Sequence, residues 1–155
     1  MEIVSTAYRV LRGSLWVPTE PGWCLAFVRT IVEQAFDMAP GEFYERWVDP
    51  FFALNQGERV GIDIGPRWAR GAERALRAAG LAVHPSKMQP GDLLFSYKVS
   101  KPFGHTAILL DGKMVLENTG AHGGWQNPGM GAVRYTPLRM WDPVTTVVRL
   151  PEGGG

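Results

Sequence analysis

An α+β domain, with helices packed on a later antiparallel sheet, is expected here on two grounds. Apolar residues recur at helical spacing in three segments before Gly80, whereas beyond Gln89 the chain breaks into short β-rich runs separated by Gly, Pro or Asp-Gly. The two patterns are also segregated, helices first and strands after. At 155 residues the chain is long enough for one core that buries roughly two-thirds of the surface exposed by the unfolded chain. Residues 1–150 are therefore read as a single domain and 151–155, "PEGGG", as a flexible tail.

The first helix is predicted in "IVSTAYRVLRG", where Ile3, Ala7, Val10 and Leu11 share a face and Gly13 is a stop. The second runs from Cys24 to Phe36. Cys24, Leu25, Phe27, Val28, Ile31, Val32 and Ala35 form its apolar face, opposite Arg29, Thr30, Glu33, Gln34 and Asp37. Thr19 or Glu20 is expected to cap it, with Pro21 in the first turn. Residues 38–65, rich in aromatics and turn formers, read as short helical turns and loop. In "PRWARGAERALRAAG" a third helix presents Trp68, Ala72, Ala75, Leu76 and Ala79 as a stripe and stops at Gly80. The runs "LLFSY", "HTAILL", "MVLENT", "AVRY" and "TTVVRL" are the expected strands.

Composition removes several function classes. The 16 Lys and Arg nearly balance the 15 Asp and Glu and are scattered, so no nucleic acid partner is expected. No run of about 18 apolar residues occurs, and the N-terminus lacks a basic region followed by an apolar stretch, so neither a membrane span nor a signal peptide is expected. Synthesis in the cytoplasm follows as an expectation. A single cysteine forms no internal disulfide. His84, His105 and His122 lack the close pairing of a zinc motif, so no metal and no cofactor are expected.

Cys24 stands at a helix start, where unpaired N–H groups and the macrodipole favour a thiolate. A buried cysteine often only fills space, so its role depends on a base. His105 supplies one, opening a strand after Gly104. A catalytic imidazole is usually oriented by a third group, and the return strand carries Glu117 and Asn118 on opposite faces. A two-residue turn at Asp111-Gly112 would place Asn118 opposite His105. A three-residue loop, Asp111 to Lys113, would pair Leu110 with Met114 and make Glu117 a same-face diagonal neighbour of His105. One residue of register separates the two.

The ordered set of a cysteine at a helix start, "RAAGLAV", "MQPGDLLFSY" and "GHTAILLDGKMVLENTG" resembles the NlpC-type papain-like peptidases and the related CHAP amidases of bacterial cell walls, from Gly22 to Gly120. The resemblance implies a papain-like catalytic domain with Cys24 as nucleophile and His105 as base. Its third residue, about twelve positions after the histidine, falls on Glu117; CHAP-like members also use Glu and Asn on this strand, which keeps Asn118 a candidate. "GWCLAF" departs from the Asp-Cys-Ser-Gly of NlpC members and is closer to the CHAP pattern. Residues 38–65 look like an insertion beside the groove.

The implied function is hydrolysis of a peptidoglycan amide, within the stem peptide or where peptide joins glycan, by a lysin- or toxin-like protein. It would act on the wall after release or delivery, and a delivery or immunity partner stays unknown. The alternatives are a thiol acyltransferase or deamidase of the same fold, and a non-catalytic wall-binding or structural protein. Trp23 beside the cysteine and Trp125 in "GAHGGWQNPGMG" are the expected substrate-binding aromatics. His84 and His122 are read as a connector and a solvated loop residue, and Asp92 as a turn cap.

Overall fold

Helix α1 (Glu2–Leu11) buries Ile3, Val4, Thr6, Ala7 and Val10, and it ends where Gly13 takes a φ of +73° that an L side chain rarely adopts. The computed structural model from which this is read describes residues 2–19, 23–54, 63–98, 102–118, 133–141 and 143–151.

Helix α2 (Cys24–Ala35) packs on α1 and on two strands of the sheet, His105–Leu110 and Met114–Asn118, and buries Leu25, Phe27, Val28, Ile31 and Val32 in their shared core. Its N-cap is Trp23, and no side chain caps the helix. Thr19 does not fill that role because the first turn begins five residues later, and Glu20 and Pro21 lie outside the described residues. Glu33, expected on the polar face, is buried. Residues 38–43 fold back over it, so its carboxylate accepts hydrogen bonds from Arg29 (2.6 Å) and from the N–H groups of Gly41 (2.9 Å) and Phe43 (3.1 Å). A buried carboxylate with three donors satisfies backbone groups that would otherwise be orphaned.

After that turn the chain forms a π-helical turn, Tyr44–Val48, and a 3-10 turn, Asp49–Phe51. Phe43 and Trp47 meet edge to face at 5.8 Å and join the core. Helix α3 (Ala69–Ala78) follows. Trp68 precedes it as the N-cap and is 40% exposed, not part of the buried stripe expected for it. Only glycine fits at position 71, where a Cβ would lie 2.0 Å from the carbonyl oxygen of Gly65.

The sheet contains β1 (Ala82–Val83), β2 (Leu93–Ser96), β3 (His105–Leu110), β4 (Met114–Asn118), β5 (Val133–Pro137) and β6 (Thr146–Val148) in the order β1-β6-β2-β3-β4-β5. Every pairing is antiparallel. The α+β architecture is thus as expected, with β1 added at the edge beyond β6. Strand alternation divides the core in two. Leu93, Phe95, Ile108, Leu110 and Leu116 pack in one cluster with α1 and α2. Leu94, Ala107, Leu109, Val115 and Val147 form a smaller cluster capped by Trp141.

Two buried charges brace the sheet. Glu73 of α3 accepts from Arg70 (3.0 Å), Thr145 (2.8 Å) and Thr146 (2.6 Å). Asp92 accepts from the N–H of Gln89 and from both Nε and Nη2 of Arg149, so it is a turn cap and an ion-pair partner at once.

Candidate active site

Cys24 is the first residue of α2 and is half-buried at the helix rim. The opening N–H groups of an α-helix have no partner inside the helix, so the sulfur sits where the backbone offers unpaired donors and a positive dipole end.

His105 is the first residue of β3. Gly104 before it has a φ of +74°, and a Cβ there would press within 3.2 Å of the Ser96 carbonyl oxygen and 3.3 Å of the Arg70 nitrogen. The Phe103 carbonyl accepts the Arg70 N–H at 2.7 Å. The start of α3 and the end of β2 therefore fix the backbone that delivers the histidine.

The β3–β4 turn is the three-residue one. Asp111–Lys113 form a 3-10 turn in which Gly112 and Lys113 have φ of +66° and +57°, and Leu110 pairs with Met114. Continuing the Ile108–Leu116 register puts Glu117 across from Ala107 and diagonal to His105 on the same face. The side chains meet: His105 Nε2 lies 2.7 Å from Glu117 Oε1, with both residues buried. Asn118, the other candidate, is buried on the opposite face of β4, where it pairs with Val133 of β5.

A carboxylate only accepts hydrogen bonds, so Nε2 is the donor in that bond, leaving Nδ1 for the thiol. Burial disfavours the charged ring, but hydrogen bonds and negative charge from Cys24 and Glu117 outweigh it and push the His105 imidazole up to about 10. Both neighbours favour the protonated ring.

A fourth residue enters that no sequence pattern marks. Trp141 donates its indole N–H to the same Glu117 Oε1 at 3.1 Å, and its ring lies 5.8 Å from the imidazole, tilted by 31°. It follows a 3-10 turn, Leu138–Met140, at the end of β5. Its signal in the sequence is slight, a lone Trp after a strand.

Exposed aromatics flank this centre. Trp23, adjacent to Cys24, is 50% exposed. Trp68 stacks on Phe103 at 4.2 Å and 30°, two residues before His105, and Arg70 covers the half-exposed ring of Tyr97 at 4.1 Å. Trp125 and His122 lie outside the described residues. His84 is an exposed turn residue whose Nδ1 accepts from the Ser86 N–H. Among the described residues no group of His, Cys, Asp and Glu is arranged to hold a metal ion, and no helix is long and apolar enough to cross a membrane.

The arrangement suits thiol chemistry: a thiol at a helix start, an imidazole whose protonated form it favours, and a carboxylate hydrogen-bonded to that ring. No family model, curated protein or solved structure matches the chain.

Proposed function

We propose that the protein is a papain-like cysteine hydrolase that cleaves an amide bond of bacterial peptidoglycan. The observation that carries the catalytic part is the His105 Nε2 to Glu117 Oε1 bond at 2.7 Å, with Cys24 near enough to the ring to favour its protonated form. In this reading the Cys24 thiolate attacks the amide carbonyl, and N–H groups at the start of α2, including that of Cys24, meet the tetrahedral oxyanion. The His105 imidazolium gives its proton to the leaving amine, and an S-acyl enzyme remains. Neutral His105 then takes a proton from water as the hydroxide adds to the thioester. Collapse releases the acid and restores the thiolate–imidazolium pair. The sum is amide plus water giving acid plus amine.

The substrate class rests on the resemblance of the Cys24, "QPGDLLF" and "GHTAILL" segments to wall peptidases and amidases. The flanking aromatics support it. Trp23 and Trp68 offer rigid apolar faces with a polar edge, suited to the apolar faces of sugar rings or to stem-peptide methyl groups. The same reading has the protein act on the wall after release or delivery.

Mass spectrometry of fragments released from defined peptidoglycan tests the proposal. Wild type should release new stem-peptide or amidase fragments and Cys24→Ala none. Equal fragmentation by both proteins would overturn the mechanism, and no fragmentation by wild type would overturn the substrate class. An added amine captured in place of water would reassign the enzyme to acyl transfer.

A further inference from the structure

Glu117 Oε1 receives two hydrogen bonds from two different elements: His105 Nε2 of β3 at 2.7 Å and Trp141 Nε1, from the segment after β5, at 3.1 Å. The terminal torsion of a glutamate is broad and weakly restrained. One hydrogen bond therefore leaves the carboxylate free to rotate about it, whereas a second donor on the same oxygen, arriving from another direction, removes that freedom. Core filling alone would not require an indole here, because a phenyl ring packs against Leu94 and Val115 without needing an acceptor.

We infer that Trp141 is a positioning residue for the thiol site: its N–H fixes the Glu117 carboxylate in the orientation that accepts from His105, and its ring screens that bond from water. The catalytic consequence rests on the hydrolase reading above; the geometric one does not. Trp141 is 9% exposed, His105 8% and Glu117 4%, so the indole face closes one side of a pair that is nearly dry. In so dry a place a hydrogen bond to a charged acceptor is worth more than in water. Among the described residues, the titratable groups that act on the ring are Cys24 of α2 and Glu117 of β4, and Arg134 of β5 stands across from Glu117 in the strand register.

Trp141→Phe keeps an aromatic ring and deletes the N–H. The expected result is a folded protein whose His105 ring, followed by NMR, titrates roughly half a unit to one unit lower than in wild type. With it, kcat for fragment release should fall roughly tenfold while KM stays within about twofold. A residue that only fills the core would lower thermal stability without moving the histidine's midpoint. An unchanged midpoint in folded Trp141→Phe would overturn the inference. A second measurement covers a variant that does not fold. In 15N-labelled wild type the Trp141 indole resonance should move with the His105 midpoint, and in Glu117→Gln that coupling should vanish; a flat wild-type resonance overturns the inference. Absence of any fragment release by wild type sinks the peptidoglycan substrate class alone, because both titrations still decide the role of Trp141.

Discussion

Glu117 and His105 meet at 2.7 Å because the turn joining their strands holds three residues and not two. Leu110 pairs with Met114, and that single step of register turns Glu117, not Asn118, toward the imidazole. Glu117→Gln should therefore cost far more activity than Asn118→Ala. An amide presents an N–H or a neutral oxygen where the imidazolium needs a carboxylate, and loss of a charge-assisted bond of this kind corresponds to roughly 1.5–3 kcal/mol, or about tenfold to a hundredfold in kcat. Fragment release by the two variants, compared at equal protein folding, measures the difference. Asn118→Ala being the deader of the two would reverse the assignment.

The turn that sets this register holds two consecutive residues in left-handed conformation, Gly112 and Lys113. Nothing lies within 4 Å of the place a Cβ would occupy on Gly112, so the cost of a side chain there is conformational and not steric. Gly112→Val is expected to destabilise by roughly 1–2 kcal/mol, read as a lower urea midpoint, and to lower kcat where the shorter register is sampled. A variant as stable as wild type would show that the turn tolerates other geometries.

The site's pH behaviour follows from the raised imidazole. A histidine whose folded value is about 10, against about 6.5 unfolded, binds its proton more tightly when folded. Its contribution to stability is therefore complete below about pH 6.5 and is lost as pH rises toward 10. Urea midpoints at pH 6 and pH 9.5 should fall more in wild type than in Glu117→Gln, which lacks the carboxylate. In the proposed mechanism acylation needs the imidazolium proton for the leaving amine, so kcat/KM should decline on the alkaline side as His105 deprotonates. Alkylation of Cys24 by iodoacetamide needs only the thiolate and should persist there. Parallel loss of both would mean that His105 does not supply the proton.

How much of this was legible in the sequence depends on the distance over which each contact acts. Cys24 and His105 were marked by local signals, a helix period beginning at the cysteine and a Gly-His opening to an apolar run. The choice between Glu117 and Asn118 was narrowed to turn length but not made from the residues themselves, because a lysine at φ +57° has no local signature. Glu33 was misplaced because helical period assigns a face, whereas its burial comes from residues 38–43 folding back over it. Trp68 was misplaced for the converse reason: it sits on the stripe by spacing but precedes the first helical turn. Trp141 was missed because its partner is 24 positions away and the contact crosses the β4–β5 pairing.

Trp23 and Trp68 provide the test of where substrate lies. Both are exposed, at 50% and 40%, one beside Cys24 and the other stacked on Phe103 just ahead of His105. Neither touches the reacting atoms, so truncation should remove binding that is equal in the ground and transition states. Trp23→Ala and Trp68→Ala are then expected to raise KM for wall fragments by roughly three- to tenfold, with kcat changed by less than about twofold. Trp68→Ala also exposes Phe103, whose carbonyl bonds the Arg70 N–H at 2.7 Å and so helps hold the entry to β3. If kcat falls with KM unchanged in that variant, Trp68 acts by steadying the strand that carries His105, and the substrate must run along the Trp23 side alone.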